Sequence, residues 1–174
     1  MSDQSIYTSS AVANFFLDKA KKQQIGLSPL KLIKLVYIAH GWALALTEHQ
    51  LFDEQIEAWQ HGPVIPSLYH EFKNYGSRPI KEPAVEFDFT TGEMVKPKIP
   101  ENAEIVTILD KVWDVYHTCS AVQLRGLTHQ ANTPWSECYQ KGMKHLVIDN
   151  DKIKSHYQEL LTNMLSKPRA TASV

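Results

Sequence analysis

The chain has few cysteines, no excess of either charge, and no recognisable export signal. Cys119 and Cys138 are its two thiols among 174 residues. That is too few for a disulfide framework, so a reducing compartment is the economical expectation. Eighteen Lys+Arg stand against nineteen Asp+Glu, giving a net charge of −1. Nucleic-acid binders draw much of their affinity from neutralising phosphates with a basic surplus, and its absence argues against such a partner. No uninterrupted apolar run approaches the ~20 residues that cross a bilayer. Met1 to Ser5 offers neither a basic n-region nor an apolar h-region. The expectation is a cytoplasmic protein with no membrane partner. What the chain does have is core material: 43% hydrophobic and 10% aromatic residues. This suffices for one compact domain, expected over residues 1–165, with a flexible polar tail at 166–174.

The periodicity predicts a mainly α-helical fold. A first helix starts near Ser9 or Ser10, both good capping types, with Val12, Phe15 and Phe16 at helical spacing and Lys19, Lys21 and Lys22 at its end. Ser28-Pro29 opens a second with a capping hydroxyl and proline at the first helical position. From Leu30 to Leu46 that helix is apolar almost all round, which marks it as the buried centre of the domain. Lys31 and Lys34 share a face of its N-terminal end, where the helix dipole disfavours cations, and are expected to meet solvent or an acidic partner. His61 to Pro66 cannot be regular helix. Pro66 opens a third helix carrying Leu68, Tyr69 and Phe72. Within Val85 to Ile99 the alternation allows either a small β hairpin, turning at Thr90 to Glu93, or a mobile loop. Helices follow from about Ile105, Ser120 and Thr133-Pro134, and a last one is capped by Asp149 or Asn150 with a stripe of Ile153, Tyr157, Leu160, Leu161, Met164 and Leu165.

Chemistry is harder to find. G-x-S-x-G, H-E-x-x-H, G-x-x-x-x-G-K-[ST] and G-x-G-x-x-G are all absent, which removes the usual grounds for a hydrolase, metalloprotease, nucleotide or dinucleotide reading. His117, Cys119, His129 and Cys138 are metal-ligand types, but their spacing matches no zinc signature, and no metal or cofactor is expected. A Cys138–His129 nucleophilic pair is the sort of pairing any chain of this size offers. The unusual segment is Glu57 to Val64, where tryptophan, histidine and a rigid Gly-Pro turn fall between two helices. Such a segment reads either as a packed corner or as a preorganised recognition surface.

The order of these pieces is more specific than any one of them. Ala13-Asn14-Phe15-Phe16-Leu17, Lys31 to Trp42 as KLxKLxYxAHGW, Glu57 to Val64 as EAWxxGPV, and Leu68 to Lys73 as LYxxFK resemble the Panacea domain, also described as SocA-like or phage-associated GepA-like. The likeness covers about Thr8 to Lys81, with a weaker echo from Ile105 to Trp135. His61 stands where a tyrosine is common. The resemblance implies a non-enzymatic antitoxin of a bacterial or phage toxin–antitoxin module, neutralising a cognate toxin, encoded by the adjacent gene, through direct binding. One alternative it carries is an adaptor that delivers the toxin to the ClpXP protease; an enzyme of an unrecognised class is another. Trp59, His61, Pro63 and Tyr69 are the expected toxin-binding anchors, with Lys31 and Lys34 supplying charge.

Overall fold

The computed structural model describes residues 7–167. Seven helices and two small antiparallel hairpins follow in the order α1 (Ser9–Lys22), α2 (Pro29–Thr47), β1 (Glu57–Trp59), β2 (Gly62–Val64), α3 (Pro66–Phe72), β3 (Glu86–Asp88), β4 (Glu93–Val95), α4 (Ala103–Tyr116), α5 (Ala121–Thr128), α6 (Pro134–Cys138) and α7 (Asn150–Ser166). The mainly helical expectation holds. So does the hairpin within Val85 to Ile99, which pairs Glu86 with Val95 and Asp88 with Glu93. The expected tail lies outside the described residues from 168 onward, and Ser166 still belongs to α7.

Helix α2 is the axis of the fold. Ser28 accepts from the Lys31 amide, Pro29 fills the first position, and Glu48 at φ 65° ends the helix. Residues 32–41 are buried without interruption. Helices α1, α3, α4, α5 and α7 and strand β2 all pack on it. At ~1.5–3 kcal/mol for each large apolar side chain fully removed from water, this one helix supplies much of the burial energy. By length and composition α2 could cross a membrane, contrary to the reading of the bare sequence, yet 67% of its most apolar window is buried by the other elements. It is a core helix.

One cap and one apolar stripe differ from expectation. Helix α1 is capped by Thr8, whose hydroxyl accepts from the Ala11 amide at 3.1 Å. Ser9 is instead inside the helix, buried, with its hydroxyl donating to Glu54 Oε1 at 2.7 Å. Helix α7 buries Ile153 and Tyr157, but Leu160, Met164 and Leu165 on the same expected stripe are exposed. Its last two turns are mostly exposed, with Leu161 partly buried.

The short hairpin β1–β2 sits on the N-terminal half of α2. Its register pairs Glu57 with Val64, Ala58 with Pro63 and Trp59 with Gly62 around a Gln60-His61 turn. The outer edge of β1 is taken by the segment before α7: Ala58 N–H donates to Leu146 O and Ile148 N–H to Ile56 O, each at 2.8 Å. Three residues per strand would be marginal alone, and the hairpin persists because helices support it from beneath.

Candidate protein-binding site

Three helices hold the hairpin by its carbonyls. Lys34, on α2 and without solvent exposure, donates Nζ to Pro63 O at 2.7 Å. Trp135, on α6, donates its indole N–H to Trp59 O at 2.7 Å. His129, the residue closing α5, donates Nε2 to Gln60 O at 3.1 Å and stacks on Trp135 with ring centroids 3.5 Å apart. The carbonyls of Trp59, Gln60 and Pro63 therefore all have side-chain donors, and the backbone that carries the turn is fixed from below.

Gly62 makes this arrangement possible. Its φ of +106° is left-handed territory, and a Cβ there would stand 2.7 Å from Lys34 Nζ. The close backbone approach leaves Lys34 in an enclosed site. Burial, assisted by the nearby Arg125 charge, lowers its pKa from 10.5 to about 7.

The platform under the hairpin depends on local caps. Ser120 and Gln123 form a capping box at α5, and Thr133 and Ser136 another at α6. Thr133 also donates to Gln130 O at 2.8 Å. Thr133→Ala is expected to cost about 1 kcal/mol, seen as a lower urea midpoint with an unchanged slope. An unaltered midpoint would mean that α6 is held by packing alone.

On the outer face, Trp59 and Tyr69 meet edge to face with centroids 4.8 Å apart. Beside them, β1 and residues 139–145 enclose a groove of about 510 Å³, lined by Glu57, Trp59, His70, Tyr139, Met143 and His145 among others. Glu57 is almost fully buried at its wall. Its Oε2 accepts from the Trp59 indole at 2.7 Å, and its Oε1 lies 3.3 Å from His145 Nδ1. His145 reaches it from a left-handed backbone at φ 58°.

The profile of the family described as "Antitoxin SocA-like, Panacea domain" matches residues 32–136, more than half of the chain. This chain belongs to the SocA-like Panacea family. It is 35% identical over 125 residues to "Antitoxin SocA" of Caulobacter vibrioides (strain NA1000 / CB15N), a match covering 72% of this chain and 66% of that protein. The chain thus spans just under two thirds of the length of that relative. No solved structure matches it significantly.

In this SocA-like chain the expected site residues separate into two groups. Trp59 and Tyr69 come together on the outer face, Tyr69 37% exposed, while His61 is exposed at the hairpin turn. Pro63 is buried, its carbonyl occupied by Lys34. The solvent-facing expectation for Lys31 and Lys34 is corrected. Lys34 is wholly buried, and Lys31 is half-buried with its ammonium donating to His117 O at the end of α4. The hairpin and the ends of α4 and α5 cover this end of α2, so both amino groups turn toward carbonyls rather than solvent.

Three of the four suspected ligands are committed elsewhere. His117 bonds Trp113 O through Nδ1, His129 bonds the hairpin, and Cys138 donates to Val147 O at 3.4 Å. Burial raises the Cys138 thiol pKa, opposite to what an activated nucleophile needs. Among the described residues no three His, Cys, Asp or Glu side chains converge as a metal site.

Sequence reading missed Glu57, Tyr139 and His145 as a unit with Trp59. Glu57 stood inside the quoted EAWxxGPV run, but nothing in the spacing ties it to residues 139–145.

Proposed function

We propose that this chain neutralises a protein toxin by binding it directly, using the face formed by Trp59, His61, Tyr69 and the adjoining groove. The supporting observation is the pinned hairpin: an aromatic, partly exposed surface whose backbone is fixed by side chains from three helices. Rigid aromatic anchors lose little entropy on binding and are favoured as interface hot spots. A patch of the usual size, about 800 Å² per partner, would be enough to occlude a toxin's working surface. The role requires no catalytic group in this chain. Membership of an antitoxin family supports the same reading.

The test is to express the adjacent open reading frame alone and with this chain, following growth, and to repeat the pair in a host without ClpXP. Growth arrest relieved by co-expression in both hosts, with the two proteins co-purifying in fixed ratio, is the expected result. Relief that vanishes without ClpXP, with toxin levels rising in the deficient host, would replace occlusion by delivery to the protease. A harmless neighbour would remove the adjacent-gene toxin from the proposal.

A further inference from the structure

We propose that the groove between β1 and residues 139–145 is a receptor for an arginine side chain of the partner protein, with Glu57 as its anion. This rests on the reading of the chain as a protein-binding antitoxin and names what that surface recognises.

Charge is the first argument. Glu57 is 9% exposed, and among the described residues no lysine or arginine forms an ion pair with it. Its one ionic contact is His145, whose side chain is 81% exposed and which bears charge only when protonated. A carboxylate taken so far out of water without a fixed cation is costly to keep, and an incoming guanidinium would complete it. An ionised carboxylate offers about four acceptor positions, and Trp59 and His145 use two of them.

Shape and wall chemistry favour arginine over lysine. The groove's volume of about 510 Å³ falls within the ~300–1,000 Å³ of small-ligand pockets and is ample for an arginine side chain. Trp59 and Tyr139 present aromatic surface to it, and Met143 adds a pliable apolar wall. A guanidinium is planar and weakly hydrated, stacks on aromatic faces, and meets a carboxylate through paired N–H groups. An ammonium is a compact, strongly hydrated point charge, with neither a planar face to stack nor a fork of paired N–H groups. Lys144 and His70 lie along the rim, where exposure leaves Lys144 screened by solvent.

The probe is N-acetyl-arginine methylamide, titrated into the full chain labelled with nitrogen-15, against the citrulline derivative as its uncharged isostere. The indole N–H of Trp59, assigned with Trp59→Phe, reports occupancy because it is bonded to the Glu57 carboxylate. Saturable shifts with the arginine compound, and affinity at least about tenfold weaker for citrulline, are expected. Glu57→Gln keeps an acceptor for the indole while removing the charge, and should bring arginine down to the citrulline level with little change in melting.

Equal response to both compounds, or no response to arginine at millimolar concentration, overturns the assignment. That comparison is made on the unsubstituted chain, so it does not depend on Glu57→Gln folding. Arginine selectivity together with a harmless neighbouring gene would retain the groove and remove the toxin. Rescue of growth without arginine selectivity would do the reverse.

Discussion

Gly41→Ala should lower stability by about 2–3 kcal/mol, although alanine is normally the better helix residue by about 1 kcal/mol. The reason is the packing of α7 on α2. The ring of Tyr157 lies directly over Gly41, so that a Cβ at this position would sit inside its Cε2, Cδ2 and Cζ atoms. Tyr157 cannot move aside cheaply, since it also packs edge to face on Trp42 at 5.2 Å and Tyr37 at 6.3 Å. For a chain of this size the loss corresponds to a fall in Tm of very roughly 5–10 °C. Tyr157→Leu alone should also destabilise, but the double variant should lose less than the two single losses combined. Equilibrium unfolding of the four proteins checks both statements. A Gly41→Ala protein as stable as the parent would mean that α7 does not dock through this contact.

The second large effect is a pH dependence centred on Lys34. Its pKa is about 7 in the folded chain against the ordinary 10.5. Between those values the unfolded chain holds a proton that the folded chain has released, so stability rises with pH at up to ~1.4 kcal/mol per unit. Below pH 7 both states are protonated at this site, and the contribution is flat. From pH 7 to 9 the rise should amount to about 2–3 kcal/mol, given by urea unfolding at several pH values. Burial raises the pKa values of Tyr37 and Tyr157, which opposes the trend above about pH 10, so the interval to measure ends below that. Lys34→Met should abolish the rise. It also strips the Pro63 carbonyl of its donor, which costs about 1–3 kcal/mol and should show most clearly at pH 9. A slope that survives Lys34→Met belongs to another group.

His40 adds a separate dependence at acid pH. Burial against Phe52 brings its pKa from 6.5 down to about 4, despite the hydrogen bond of Nε2 to Asn150 at 2.9 Å. Its effect has the same sign, with stability lost as pH falls from about 6.5 toward 4.

Most of the fold was written in local signals. Ser28-Pro29, Ser120, Thr133-Pro134 and Asp149 cap the helices they announce, and the apolar continuity of α2 identifies the core without any tertiary knowledge. Lys34 shows where such reading stops. Three residues from Lys31 it resembles one of a solvated pair, and only the hairpin laid over α2 supplies the carbonyl that receives it. The hairpin was itself illegible as strands, because three residues are too few for alternation to appear. The groove needed more still. Glu57 meets His145 because Ala58 and Leu146 share a backbone hydrogen bond across a long stretch of chain.

The contact of Tyr157 on Gly41 also sets a sequence in time. Synthesis delivers α2 early and α7 last among the described elements, so the nascent chain carries an apolar ridge with its lid not yet made. At ~5–20 residues per second that interval is of the order of ten seconds, far longer than a helix or a hydrophobic cluster needs to form. During it, the face of α2 around Gly41 is available to chaperones, proteases and other nascent chains. Any chain that stops before α7 leaves that face permanently open.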